Sequence, residues 1–296
     1  MKRLSLLWII TSFFMACTVS CEKPVVTTDE ETDSDDLISL RINISTYEQI
    51  AFSSAPGKRQ VNRKASEVSS RINCAIYKDG TRVKSINQTA SEGDFGTLTL
   101  QAEAGTYQLV VIAHNGTGNA TMTDLKNIKF PNNKLTDTFA YYTVVDLKED
   151  TSLDIVLERV VAMFRLVVTD NTPEEVRQMR FYYTGGSSTL DAETGFGCVD
   201  SRQTELRTVE TTAYNGSSVY EVYTFPHTSP DELKMTVSAL DADEAVTHER
   251  TFEDVPVDVR QITQYKGEFF GESADDGRGK LMLSVNDTWK QEDWTF

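Results

Sequence analysis

Cys21 is the residue whose surroundings most directly specify chemistry. It follows Ser20 at the end of an apolar run from Leu4 to Val19. That run itself follows Lys2 and Arg3, and a charged chain begins at once with Glu22 and Lys23. A basic start, a short apolar stretch and a small residue before a cysteine form an export signal. The run is shorter than the roughly 20 apolar residues that cross a bilayer. The cysteine adds acyl chemistry, as in a bacterial lipobox. There the thiol receives diacylglycerol, the preceding peptide is cut, and the new amino terminus is acylated. Each buried CH₂ contributes about 0.8 kcal/mol, so several chains anchor firmly where one is marginal. Cys17, after Phe14-Met15-Ala16, competes for the role, and neither cysteine has the usual Leu three residues upstream. Cys21 is favoured because Cys17 is still inside the apolar run. The alternative is an ordinary signal peptide with incidental cysteines.

No other group of residues specifies a reaction. The histidines, His114, His227 and His248, are scattered without ligand spacing, and a metal site needs converging ligands. Gly-x-Ser-x-Gly and His-Glu-x-x-His are absent, so no local nucleophile or zinc-protease pattern exists. Asp241/Asp243 and Asp275/Asp276 lack a calcium-hand pattern and read as solvated acidic turns. Tyr214, Tyr220, Tyr223 and Phe225 suit either a ligand face or a sandwich core. The expectation is no enzyme, no cofactor and no metal.

Composition narrows the partners. The 296 residues carry 29 basic and 45 acidic side chains, a formal charge of −16, and removal of residues 1–20 takes Lys2 and Arg3 and no acid, leaving −18. Such a chain repels phosphate backbones, which argues against nucleic acid. Two cysteines remain, Cys74 and Cys198. Export would permit a disulfide, but they fall on opposite sides of the expected domain boundary. Two small buried thiols are the plainer reading.

The elements that would carry these residues are strands. After an acidic tether, residues 21–36, which lacks the apolar content to order itself, Ile38, Leu40, Ile42 and Ile44 alternate with polar residues. A period of two means one buried and one wet face. Residues 54–68 read as an exposed loop, with four cations between Lys58 and Lys64. Further strands follow at Ile72–Ile76, at Leu98–Leu100, and from Tyr107 to Ala113, which is apolar on both faces. Tyr141–Leu147 and Leu153–Leu157 continue the pattern. Val160–Val168 is the strongest β-run and opens a second domain. Thr172-Pro173-Glu174-Glu175 is a capping box that predicts one short helix. Met179–Tyr183, Leu233–Ala239, Val255–Val259 and Leu281–Val285 alternate again, before Trp289 and Trp294. Many short alternating strands with turn signals between them predict an all-β chain of antiparallel sandwiches. The expected partition is 1–20 leader, 21–36 lipidated tether, 37–158 first sandwich and 159–296 second.

Three segments carry a resemblance. They are Leu98-Thr-Leu-Gln-Ala-Glu-Ala-Gly105-Thr106-Tyr107-Gln-Leu-Val, Glu158-Arg159-Val-Val-Ala-Met-Phe and Gln261-Ile-Thr263-Gln-Tyr-Lys-Gly267-Glu-Phe-Phe. With the lipoprotein start, their order and spacing resemble the FimB-like fimbrillin-associated anchor family of type V pili. The resemblance implies two transthyretin-like β-sandwich domains in tandem. It also implies a lipid-anchored subunit at the base of a pilus, held in the bacterial outer membrane through acylated Cys21 and joined to pilin (fimbrillin) subunits by strand exchange. Trp289 and Trp294, in the tail after the last strand, are the candidate subunit joint. Two other readings stay open: a surface lipoprotein that binds glycan or peptide, and a tip or stalk pilin of the same superfamily.

Overall fold

The computed structural model describes residues 37–47, 65–271 and 282–286, and only the backbone of 45–47 and 282–286. The leader, Cys17, Cys21, the tether, the cations from Lys58 to Lys64, Trp289 and Trp294 lie outside these residues.

The described chain is built from strands. β1 (Ile38–Tyr47), β2 (Arg71–Lys78), β3 (Thr81–Thr89), β4 (Thr97–Ala102), β5 (Gly105–His114), β6 (Ile128–Lys129), β7 (Thr138–Leu147) and β8 (Thr151–Arg159) come first. β9 (Ala162–Val168), β10 (Gln178–Gly186), β11 (Thr189–Asp191), β12 (Phe196–Gly197), β13 (Ser201–Thr208), β14 (Ser218–Thr224), β15 (Asp231–Leu240), β16 (Val246–Val257), β17 (Ile262–Gly267) and β18 (Met282–Asn286) follow.

The first set forms one continuous ladder in the order β3-β2-β5-β7-β8-β1-β4. It turns a corner between β7 and β8, where only Phe139↔Arg159 and Ala140↔Glu158 pair. The second set stays as two sheets, β13-β10-β15-β16 and β14-β9-β17-β18. The expected antiparallel sandwich architecture is present, with one addition. β1 runs parallel to β8, and β9 runs parallel to β17. Alternation reveals which face a strand buries but not the direction of its neighbour, so the sequence is silent on this.

Alternation places the cores. Leu40, Ile42, Cys74, Leu98, Leu109 and Val111 fill the first sandwich, and Phe164, Leu166, Phe181, Met235, Val237 and Phe269 fill the second. β5 is apolar on both faces for a visible reason. Leu109, Val111 and Ala113 face the first core, while Val110 and Ile112 face a third cluster with Phe130, Val161, Leu190 and Phe225. That third cluster lies where the two sandwiches meet. A small sheet, β12-β11-β6, crosses the same junction, with Thr189↔Lys129 and Leu190↔Ile128 paired.

Two local expectations are corrected. No helix follows Thr172; residues 171–177 hold only a turn. The Arg177 amide donates to the Leu240 carbonyl and β10 starts at Gln178, so strand pairing takes the chain before a second helical turn can form. The stretch read as loop up to Val68 ends in a one-turn helix, Ala65–Val68, with Val68 buried against the first core. Gly185-Gly186 makes a bulge in β10, with Gly185 at φ +92°, where a Cβ would lie 2.5 Å from the Glu232 carbonyl oxygen.

Candidate functional site

The residues singled out in the sequence separate in space. Tyr220 belongs to the second core, Phe225 to the junction, and Tyr223 packs beside both the junction and Met163. Tyr214 donates its hydroxyl to the Val176 carbonyl at 2.7 Å. These aromatics are scaffold, not a flat platform. Asp241 Oδ1 accepts the amides of Asp243 and Ala245, both at 2.9 Å, and so closes its own turn. Cys74 is buried and free, and burial pushes its thiol up. Cys198 is free but exposed, contrary to the reading of two buried thiols. It directly follows β12, and its amide donates to the Thr189 carbonyl of β11 at 3.1 Å.

His114 is the histidine most altered by its surroundings. It is 1% exposed. Its Nδ1 accepts the Gly116 amide at 2.9 Å, which leaves Nε2 protonated and donating to Asn73 Oδ1 at 3.0 Å. The ring is therefore neutral. Burial first, then the Arg71 charge, lower its pKa to about 4. It packs edge-on against Phe130 at 5.3 Å.

A cleft of about 690 Å³ lies on the open flank of the second sandwich, between the edge strands β13 and β14. Leu135 and Thr136 of the first half close one end. Ions lace the flank together. Glu205, 6% exposed, meets Arg207 at 2.9 Å and Lys134 at 3.2 Å. Arg207 Nε and Nη2 donate to the Glu221 carbonyl at 3.2 and 2.9 Å. The Glu221 carboxylate pairs with Arg165 at 2.8 Å. A second, smaller cleft of about 420 Å³ lies in the first sandwich beside Phe95 and Gly96.

The geometry of the β14 edge follows from these contacts. The Glu221 carbonyl points away from β9, so the alternation of an antiparallel ladder turns Val219 and Tyr223 the same way. Two observations agree with this. Tyr183 donates to the Tyr223 carbonyl at 2.9 Å, and Phe225 exchanges both backbone bonds with Ser187 at 3.0 Å. The outward amides of Val219, Glu221 and Tyr223 meet no acceptor among the described residues. At the other edge of the same sheet, β18 pairs among the described residues with β17 alone, from Ile262↔Asn286 to Lys266↔Met282.

Sequence reasoning missed Lys134, Glu205 and Arg207. β13 has Gln203, Glu205 and Arg207 on its inward face, so its pattern shows no apolar alternation to find. The only signal was polar alternation, which a strand and a loop share.

No curated protein matches the sequence. Solved structures that resemble it include the fimbrial anchor protein Mfa2 from Porphyromonas gingivalis. It is 11% identical, over 84% of this chain and 97% of that one, with a TM-score of 0.45. A fimbrial assembly protein from Parabacteroides distasonis is 13% identical, over 84% and 98%, with a TM-score of 0.39. The profile of a family of unknown function (DUF6562) matches residues 31–295, and the chain belongs to that family.

Proposed function

We propose that the protein is a lipid-anchored subunit of a surface fibre, held in the bacterial outer membrane through Cys21 and joined to fimbrillin subunits by strand pairing. Its two sandwich domains, residues 37–158 and 159–296, act as a strut and not as an enzyme. The observation that carries the reading is the position of β18. Among the described residues it is an outer strand paired on one side only, and sheet edges are templates for another chain. The opposite edge is less suited, because side chains already occupy two of the outward carbonyls of β14. The junction core supports a strut, since it joins the sandwiches through apolar packing as well as strand pairing. Trp289 and Trp294 follow β18 in sequence and extend the joint.

Two changes in the cell test this. Cys21→Ala should release the chain from the envelope or leave it unprocessed. Deleting residues 289–296 should leave a folded, lipidated protein that no longer retains fibres. Full-length fibres at normal density on cells with the deletion would overturn the joint. Continued acylation of Cys21→Ala, with loss in Cys17→Ala, would move the anchor. If the deletion unfolds the protein, Trp294→Ala is read in its place, by the same fibre count.

A further inference from the structure

The cleft between β13 and β14 has a chemistry separate from strand pairing. Addition of a strand needs alternating donors and acceptors along the edge. Here the Glu221 and Tyr223 carbonyls are taken by Arg207 and Tyr183, while the amides beside them are free. The edge can donate but accepts poorly. An anion is disfavoured too. The Arg207 guanidinium is engaged by Glu205 and by the carbonyls of Leu206 and Glu221, and the exposed Glu210 carboxylate lines the same space with no cation paired to it among the described residues.

The remaining wall groups suit a neutral ligand rich in hydroxyls. Thr208, Thr212 and Ser217 are exposed, line the cleft and make no side-chain hydrogen bond among the described residues. Glu210 offers acceptors and the outward amides offer donors. Leu206 and Val219, 49% and 56% exposed, give the cleft apolar flanks. A pyranose presents the complementary surface, with hydroxyls around its rim that donate and accept and with apolar C–H faces. The volume, about 690 Å³, lies inside the roughly 300–1,000 Å³ range of small-molecule sites.

We propose that this cleft is a carbohydrate subsite that takes one or two sugar units of a neutral glycan. Glu210, Thr208, Thr212 and the β14 amides hydrogen-bond the ring hydroxyls, and Leu206 and Val219 lie against its C–H face. The proposal stands independently of how the subunit joins a fibre.

The test is ligand-observed NMR on the purified full chain in detergent. The probes are maltotriose, mannotriose, galactotriose and N-acetylchitotriose, with heparin and an extended Val/Thr-rich peptide as the other arms. At least one trisaccharide should show saturation transfer. Glu210→Gln and Thr212→Val should each weaken it about tenfold, the effect of one lost hydrogen bond to a charged or well-placed group. Leu206→Glu should abolish it. Thr251→Val, on β16 at the far edge of the sheet, should leave it unchanged. All four positions are partly or fully exposed, so the fold tolerates the changes. Absence of transfer from every trisaccharide overturns the proposal. So does transfer that Glu210→Gln, Thr212→Val and Leu206→Glu all retain, or binding of heparin or the peptide alone.

Discussion

The two sandwiches solve the same problem in opposite ways. Each pairs its first strand in parallel with a late one, and each leaves a flank where its sheets end. The first sandwich closes one side with backbone pairing at the β7–β8 corner and stitches its open flank with a neutral amide. Gln88 donates to the Thr97 carbonyl at 2.8 Å and accepts the Gly96 amide at 3.0 Å. Among the described residues of the second sandwich, the backbone link between its sheets is a single bridge, Ser187↔Phe225. Its flank is held by Lys134, Glu205 and Arg207, and it is there that the large cleft lies. A neutral amide seals by filling two backbone valences in one step. An ion cluster must keep its own hydration or replace it, and so it leaves polar space around itself. The difference teaches that the roomier flank is a product of how the edge is held, not of poorer packing inside.

The comparison breaks most severely at the corner. Arg159, 2% exposed, meets Asp137 at 2.5 and 2.6 Å and lies over the Phe139 ring at 4.6 Å. Arg159→Ala leaves Asp137 without its partner in a low-dielectric site. Chemical denaturation should show a loss of about 3–5 kcal/mol. A loss below about 1 kcal/mol would mean that the corner does not hold the first sandwich closed.

Acid should separate the two halves next. His114 belongs to the first, and its folded pKa of about 4 lies below the ordinary 6.5. A depressed histidine contributes stability above the unfolded pKa, and this is lost as pH falls from 6.5 toward 4, because the unfolded chain takes the proton first. The loss should reach about 3 kcal/mol by pH 4. Amide exchange of β2 and β5 should report it. His114→Gln should flatten the profile, and an unchanged slope in that variant would assign the effect elsewhere.

A smaller effect distinguishes the two seals. Arg207→Met should cost about 2–3 kcal/mol, because it leaves the buried Glu205 with Lys134 alone. Gln88→Met should cost about 1–2 kcal/mol, because it strands one amide and one carbonyl. Equal costs, measured by denaturant midpoint at constant m, would remove the contrast between ionic and neutral closure.

Much of this fold was legible where burial is one-sided. Leu40 and Ile42 in β1, or Met235 and Val237 in β15, write their period of two directly into the chain. The two-sided run of β5 was legible as well, since only a strand between two layers is apolar on both faces. β3 was not, because it is an edge with nearly every side chain in water. β13 was not, because its inward face carries ions. β14 was hidden for the opposite reason: Val219 and Tyr223 on the outer face match Tyr220 and Val222 on the inner one, so no alternation survives. The helix expected after Thr172 had a sound cap signal and lost to a neighbouring strand's pairing. The candidate cleft is made from the three segments that local patterns describe least, and its ionic lacing joins residues about 70 positions apart, Lys134 to Glu205. No window of sequence contains that contact.

The parallel pairs have a mechanical meaning. β1 and β8 run side by side in the same direction through seven registered pairs, and β9 and β17 do so through six. Suppose tension enters each sandwich at the start of its first strand and leaves at the end of the late one. The two strands are then dragged along each other lengthwise. All the cross-links between them share the load at the same moment and must fail together. Antiparallel neighbours pulled from adjacent ends would instead open like a zip, one link after another. The chain is thus wired for shear, the geometry in which a β-fold resists stretching longest.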